Sequence, residues 1–132
     1  MKVRALLLSA TVSLLPSCLL SSNMDGQWVG YLVMDYDGDD MNSGLDLRLT
    51  SNGKTFVGDA EMYFYGYYEI DGDVMGTVDG DIVIMTIEFD YDGDEFDMDL
   101  VCSREKNSMI CTGEWEFYDY SVDVDELYLA RM

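Results

Sequence analysis

Two short acidic segments carry the residue types most able to bind a metal ion. Residues 35–40 read Asp-Tyr-Asp-Gly-Asp-Asp, and residues 90–95 read Asp-Tyr-Asp-Gly-Asp-Glu. Carboxylates at alternate positions suit a calcium loop, because Ca2+ takes about six to eight oxygen ligands. The first segment is the better candidate, since a loop continuing through Gly44 would let its oxygens surround an ion. Its candidate ligands are Asp35, Asp37, Asp39 and Asp40.

The same segments also match hairpin turns flanked by solubilising acids. A helix-flanked calcium loop needs Gly at position 6 and Glu at position 12. Counted from Asp35, those positions hold Asp40 and Asp46, and the second segment departs in the same way. Asp-Gly is a preferred pair in tight hairpin turns. The spacing therefore favours turns, with calcium as the alternative and no other cofactor indicated.

The chain contains no histidine. This removes the usual general base near neutral pH, the Ser-His-Asp and Cys-His nucleophile systems and most zinc sites. A hydrolase with two catalytic carboxylates is still conceivable, but such pairs lie in clefts that push their pKa values apart. Nothing in the sequence distinguishes a pair such as Glu114 and Glu116 from ordinary strand acids. We therefore predict no catalytic residues and a protein that is not an enzyme.

The first 18 residues have the order of a secretory signal. Lys2 and Arg4 precede an apolar run over residues 5–15, which is followed by Pro16-Ser17-Cys18. The run is well short of the roughly 20 residues that cross a bilayer as a helix. Residues 15–18, Leu-Pro-Ser-Cys, resemble the lipobox of bacterial lipoproteins. The resemblance implies cleavage before Cys18, lipidation of its sulfur and a mature protein held at a membrane outside the cytoplasm.

Under this resemblance residues 1–17 are a signal peptide, residues 18–25 a lipidated tether and residues 26–132 the folded domain. Leu19, rather than Asp, follows the cysteine. In lipoproteins this implies the outer membrane, with the domain facing the periplasm or the cell surface. The alternative is an ordinary secretory signal cut nearby, with Cys18 unmodified.

The composition is strongly acidic, with 27 Asp and Glu against 7 Lys and Arg and a net charge of −20. Loss of Lys2 and Arg4 with the signal would leave 27 acidic and 5 basic residues, a balance of −22. Such a field repels nucleic acid and anionic headgroups and attracts cations and basic proteins. We expect no nucleic-acid binding and consider a basic protein partner. Solvated outer faces of strands are the first explanation of the acidity, adaptation to salt is the second and a basic partner is the third.

Two of the three cysteines are left to pair with each other. Cys18 is accounted for by the lipid, which leaves Cys102 and Cys111 in an oxidising compartment. Closing so short a loop contributes about 2.7 kcal/mol in the chain-entropy estimate. Two reduced, buried thiols are the alternative to this disulfide.

From Gly26 onward apolar residues recur at every second position, as half-buried β-strands require. Short turn signals separate the runs: Asn52-Gly53, Asp79-Gly80 and Asp92-Gly93 each resemble a two-residue hairpin turn. Asp71-Gly72 predicts a bulge or an extra turn, and a change of phase near Asp125-Glu126 predicts a bulge in the last strand. About eight strands with short connections favour a closed all-β, antiparallel up-and-down barrel over a sandwich.

One hairpin predicts its own register. If Cys102 faces Cys111, the residue numbers of every opposed pair in this hairpin add up to 213, so Met98 opposes Trp115. Leu100 likewise opposes Gly113, and the acidic residues of both strands point the other way. Large and small inward residues alternate around the barrel, which predicts a filled interior with at most a shallow pocket at the mouth.

An aromatic run follows the third strand. Alternation places Tyr63 and Tyr65 on the face opposite Met62 and Phe64. Tyrosines offer a large contact area with a polar tip, as binding surfaces use. Ordinary strand packing near a barrel end is the alternative. The candidate binding patch consists of Tyr63, Tyr65, Tyr67 and Tyr68.

The two ends of the domain resemble the signature of calycins, the barrel superfamily of lipocalins and avidins. Gly26 and Trp28 begin the first strand, and Arg131 lies at the end of the last. The resemblance implies that the tryptophan closes one barrel end and that the arginine packs across it. It implies no ligand-binding residues, because none of those motifs is matched.

Taken together, the sequence predicts a non-catalytic, lipid-anchored binding protein of the cell envelope, acting as a monomer. Its ligand would be a small apolar molecule or a protein. The alternative function is an envelope inhibitor or immunity-type protein that binds another protein through its acidic or aromatic surface. A pocket of drug-sized volume would favour the first function.

Overall fold

Eight antiparallel strands follow one another around a closed barrel, each paired with its neighbours in the chain and β1 paired with β8. The computed structural model describes residues 23–36, 38–64, 68–118 and 120–132. The strands are β1 (Gly26–Tyr36), β2 (Asp39–Asn52), β3 (Thr55–Phe64), β4 (Tyr68–Asp79), β5 (Ile82–Tyr91), β6 (Asp94–Arg104), β7 (Ser108–Phe117) and β8 (Tyr120–Arg131). The predicted all-β barrel is confirmed. The described part of the chain contains no helix with the length and hydrophobicity to cross a bilayer.

The barrel has two ends, which differ in what closes them. At the terminal end, Asn23 enters beside the turns Gly53–Lys54, Gly80–Asp81 and Glu105–Asn107, and the chain finishes at Met132. At the distal end lie Gly38, the turn Asp92–Gly93 and Tyr118.

The period of two observed in the sequence produces the core directly, because alternate side chains of a strand point to opposite faces. Inward residues of every strand are buried, and acidic residues take many of the outward positions. Trp28, Leu47 and Met62 are fully enclosed. The predicted inward faces are therefore confirmed.

The hairpin turns are close to their predicted places, with differences of one residue. Asp92–Gly93 forms a turn as predicted, with both residues at positive φ (55° and 85°), as a type I′ turn requires. The other two loops are Gly53–Lys54 and Gly80–Asp81, since Asn52 and Asp79 still pair as strand residues. In each of these the glycine is the first loop residue and has positive φ, the pattern of a type II′ turn.

Two local expectations are wrong. Asp71 and Gly72 form neither a bulge nor a turn; both pair in continuous register with β3 and β5. Gly72 is an inward position where β5 approaches closely, which leaves no room for a side chain. The long loop through Gly44 does not form either, because β2 begins at Asp39 and pairs with β1 from there onward.

Two register predictions are confirmed. Cys102 pairs with Cys111 and forms a disulfide with it, and Met98 lies opposite Trp115. The ladders of β8 with β1 and with β7 both shift at Asp125 and Glu126, as a bulge there predicts.

The interior glycines have a different role from the one predicted. The backbone of a neighbouring strand passes very close to three of them, Gly30, Gly58 and Gly113. A Cβ atom at each of these positions would overlap a carbonyl oxygen of that strand, so only glycine fits. Such close approach between strands is where barrels bend. The predicted pairing of large with small residues explains only part of the packing. It applies at Gly76, where a Cβ atom would overlap the ring of Phe56.

The N-terminal segment closes the terminal end. Met24 is fully buried, and its carbonyl oxygen accepts a hydrogen bond of 2.9 Å from Trp28 Nε1. The Arg131 guanidinium lies 4.5 Å from the centre of the Trp28 ring and donates to the carbonyl oxygens of Asn23 and Asp25. The structure therefore brings the proposed closure residues together, with a backbone segment held between them.

Candidate functional site

An apolar cup at the distal end is the candidate binding site. It has a volume of about 260 Å3 and is lined by Met41, Phe64, Ile70, Tyr91, Phe96, Trp115 and Phe117. These residues come from six strands whose distal ends meet around the barrel axis. The predicted shallow pocket at the mouth is present in the structure.

Trp115 forms the floor of this cup. Its ring stacks with Phe64 at a centroid distance of 5.7 Å and an angle of 9°, and Phe117 approaches to 4.3 Å. Its Nε1 donates to the carbonyl oxygen of Phe96 at 3.3 Å, so the indole offers the cup only its apolar ring surface. Aromatic groups arranged in this way favour a flat apolar ligand.

The volume limits what the cup can hold. Pockets for drug-sized ligands are about 300–1,000 Å3, so a volume of about 260 Å3 fits a smaller molecule or part of a longer one. Apart from the Tyr91 hydroxyl group, the seven lining side chains present apolar surface to the cup. The cup can therefore bind by burying apolar area, and its seven lining residues include no carboxylate, amine or imidazole.

The second feature is an acidic groove on the outer face of β3, β4 and β5, extending to Glu95 of β6. It has a volume of about 420 Å3. Carboxylates lie directly opposite one another in it: Asp59 pairs with Asp73, and Asp71 pairs with both Glu61 and Asp90. Like charges in directly opposed positions destabilise a sheet. The groove is a surface at which a cation or a basic group would relieve repulsion.

The carboxyl groups of Glu61 and Glu69 lie within hydrogen-bonding reach at the edge of this groove and shift each other's pKa. A hydrogen bond from Tyr63 and a second from Glu69 lower the pKa of Glu61, whereas the bond to Glu61 raises the pKa of Glu69. The Tyr63 hydroxyl group donates to Glu61 Oε2 at 2.6 Å. That bond, with the nearby carboxylates, raises the pKa of Tyr63 to about 12. The pair is exposed on the outer face, which is not the enclosed setting of a catalytic dyad.

One carboxylate oxygen from each of Glu61, Glu69 and Asp71 lies within 4.8 Å of the other two. These residues were not predicted as a metal site, because the sequence did not reveal the register between β3 and β4. The predicted calcium ligands are arranged differently. Asp35 pairs with Asp40 and accepts a hydrogen bond from the Gly38 amide, while Asp37 lies outside the described residues. Calcium binding by these aspartates stays a prediction.

Several other predicted residues fall outside the described part of the chain. These are Cys18 with the rest of residues 1–22, and Tyr65 and Tyr67 of the proposed tyrosine patch. The side chain of Tyr68 lies outside the described part as well. Tyr63 lies on the outer face, as alternation predicted, and is turned away from the cup.

Replacing Glu69 with glutamine is expected to raise the unfolding temperature at pH 7 and to change it little at pH 4. The pKa of Glu69 is higher in the folded than in the unfolded protein. Its stabilising effect is therefore complete below the unfolded pKa and is lost as pH rises through the folded pKa. Glutamine stays neutral and can still donate to Glu61. Thermal unfolding at both pH values measures the difference, and Glu116→Gln, which removes an equal charge elsewhere, should give a smaller gain at pH 7. Equal gains for the two variants would contradict the raised pKa of Glu69.

Comparison with known proteins bears on the fold alone. No known protein family and no curated protein sequence matches the chain. Among solved structures, a redesigned β-barrel superposes with a TM-score of 0.62, over 89% of this chain and 95% of that one, at 16% sequence identity. The similarity agrees with the closed eight-stranded antiparallel architecture and assigns no function to it.

Proposed function

We propose that this chain is a non-catalytic, lipid-anchored binding protein of the cell envelope that takes a small apolar ligand in the cup at its distal end. The observation that carries the proposal is the cup itself, an aromatic cavity of about 260 Å3 whose floor is Trp115. Burial of a ligand against this surface would be driven by the hydrophobic effect. The lack of histidine and the outward direction of the strand acids support a role without catalysis.

The location in the envelope is supported by the sequence. Residues 15–18 resemble a lipobox, and the Cys102–Cys111 disulfide suits an oxidising compartment. That the barrel is related to the calycins is a separate and more specific proposal. Its support is the packing of Arg131 across Trp28, which is what that superfamily's signature implies.

Filling the cup should abolish ligand binding. Ile70 lines the cup, and Ile70→Trp would place an indole where the ligand sits. With the neutral probe N-phenyl-1-naphthylamine, fluorescence titration should show at least about a tenfold loss of affinity, equivalent to about 1.4 kcal/mol. Ile110→Trp, the same substitution on the outer face of β7, is the matched control and should keep the wild-type affinity. A folded Ile70→Trp protein that binds the probe as wild-type does would overturn the proposed site.

The anchor has a separate test. Cys18→Ala should prevent incorporation of labelled fatty acid and release the chain from envelope membranes in soluble form, because the acyl chains provide the membrane affinity. Labelling of the Cys18→Ala protein would show that lipid is attached elsewhere or that the label is not specific.

A second candidate function is an inhibitor or immunity-type protein that binds a basic protein through its acidic groove. The opposed pairs Asp59–Asp73 and Asp71–Asp90 favour it, since a fold gains no stability from facing like charges. Asp71→Asn with Asp73→Asn would then abolish the salt-sensitive capture of basic envelope proteins, whereas Ile70→Trp would leave it intact. The opposite pattern supports the cup.

A further inference from the structure

A belt of exposed apolar side chains surrounds most of the barrel near its terminal end. Its members are between 38% and 60% exposed and point outward from six consecutive strands: Val57, Met75, Ile84, Val101, Ile110 and Tyr128. Three of the contacts are direct cross-strand pairs, Val57 with Met75, Ile84 with Val101, and Ile110 with Tyr128. A contiguous apolar surface of this kind on an otherwise charged protein marks a place of contact.

The belt continues onto β1 and stays close to one end of the barrel. Tyr128 pairs with Tyr31 of β1, and their rings lie 6.3 Å apart. Each member of the belt is two to four residues from the terminal-end residue of its own strand. At about 3.3 Å per residue, the belt therefore lies roughly 7–13 Å along the strands from that end.

Charge is segregated along the same axis. Apart from Asp46 and Asp79, every acidic residue within a strand lies on the distal side of the belt. All the basic residues after Arg4 lie at or near the terminal end: Arg48, Lys54, Arg104, Lys106 and Arg131. The acids outside the strands at that end are Asp25, Asp81 and Glu105. The terminal end is therefore close to neutral, and the excess negative charge surrounds the distal end, which an anionic lipid surface would repel.

The chain enters the barrel at this same end. Asn23 is held there by Arg131, and it lies five positions after Cys18 in the chain. An extended segment of that length spans at most about 17 Å. A lipid on Cys18 would therefore hold the terminal end close to the membrane surface. The belt lies no farther from the terminal end than the length of this segment, so the belt can reach the surface as well.

We infer that the barrel rests with its terminal end and belt in the membrane surface, and that the acidic half and the cup face away from the lipid. This inference rests on the proposed lipid anchor at Cys18. A groove of about 370 Å3 between Val57, Met75 and Ile84 gives the surface a shape that accepts part of an acyl chain. Gly76 lies between Met75 and Thr77 in the lining of this groove.

Tryptophan quenching by brominated lipids tests the orientation. The full chain is purified from membranes and reconstituted in vesicles of phosphatidylethanolamine and phosphatidylglycerol that are brominated near the carboxyl end of their acyl chains. Ile84→Trp places a reporter in the belt, and Asp90→Trp places one on the same face of the same strand, six residues towards the distal end. Trp28 and Trp115 are buried in both proteins and in the wild-type background, which is subtracted. We expect loss of most of the added emission at position 84 and no loss at position 90.

Every other result contradicts the orientation. No quenching at either position, although the protein floats with the vesicles, would show that the belt is free or covered by a second copy. Equal quenching at both positions would show that the barrel does not stand on its terminal end. Val101→Trp and Asp97→Trp on β6 form a second pair in case the first does not fold.

Failure of the anchor is measured separately. If the chain does not float with the vesicles, Cys18 carries no lipid, and the envelope anchor is wrong. The Cys18 thiol, the one cysteine outside the disulfide, is then coupled to a maleimide lipid. The same pair of tryptophan reporters decides whether the belt meets the bilayer, so failure of the tether and failure of the orientation remain distinct.

Discussion

Gly30→Ala is expected to lower the free energy of unfolding by at least about 3 kcal/mol, or to prevent folding. Gly30 faces inward on β1, and a Cβ atom there would overlap the carbonyl oxygen of Tyr128 and come within 2.7 Å of its carbonyl carbon. Both atoms belong to the backbone of β8, so no rotamer change relieves the overlap, and the seam that closes the barrel must open. Forced overpacking costs about 1–3 kcal/mol when side chains can adjust, and a backbone obstacle should cost more. Urea unfolding followed by circular dichroism measures the change.

Gly44→Ala is the matched control. Gly44 occupies the next rung of the β1–β2 ladder, where it pairs with Tyr31, while Gly30 pairs with Leu45. A Cβ atom at Gly44 would meet nothing closer than 3.8 Å. Because glycine within a strand costs about 0.5–1 kcal/mol relative to alanine, this variant should be as stable as the wild type or slightly more so. Similar losses for the two variants would show that the close approach of β8 to Gly30 is not what requires glycine.

Trp28→Ala is expected to cost about 3–5 kcal/mol, the usual range for removing a large buried aromatic side chain. Trp28 is fully buried, and it holds the N-terminal segment through its hydrogen bond to the Met24 carbonyl oxygen. Its ring also supports Arg131, whose guanidinium binds Asn23 and Asp25. Removing it should therefore destabilise the barrel and detach residues 23–25 from the terminal end. Urea unfolding gives the first effect, and faster amide hydrogen exchange at Met24 and Asp25 gives the second.

Two further variants separate volume from hydrogen bonding. Trp28→Phe keeps most of the buried ring but loses the Nε1 donor, so its loss of stability should be intermediate and should still speed exchange at Met24. Tyr31→Ala removes an aromatic ring from the same strand on the outer face, where it is half-exposed, and should cost less than about 1 kcal/mol. If Trp28→Ala were no more damaging than Tyr31→Ala, the terminal end would not depend on this closure.

The two-residue hydrophobic period predicted most of the fold. Because side chains alternate along a strand whatever its neighbours are, the inward positions of Trp28, Leu47 and Met62 could be read without knowing the topology. The Cys102–Cys111 pair added a constraint between two neighbouring strands, which the hydrophobic period alone does not supply. Together with the alternation it fixed one register, and the structure has that register.

The wrong predictions came from signals that are not specific enough by themselves. Asp-Gly marks a turn at Asp92–Gly93 but lies inside a straight strand at Asp71–Gly72. The dipeptide is the same in both places, and the difference is that Gly72 lies where β5 approaches closely. A glycine that permits a turn and a glycine that permits close approach cannot be separated from local sequence.

The candidate site was predicted only in outline. A shallow pocket at the mouth followed from the barrel, but its lining could not be known, because it depends on which six strands end together. The same holds for Glu61 and Glu69, which meet only through the β3–β4 register. The belt residues were visible in the sequence as isolated outward apolar residues, and only the closed barrel lines them up near one end.

By itself, the sequence determined which side of each strand is buried, where three of the turns fall to within one residue and how Cys102 faces Cys111, since these depend on neighbouring residues or on a single covalent link. The tertiary structure alone decided what gathers at each end of the barrel: the cup, the opposed carboxylates, and the separation of belt from acidic half. The physical reason is that closure of the ring fixes how far each strand slides past the next, and that displacement is set by the packing of all eight strands at once.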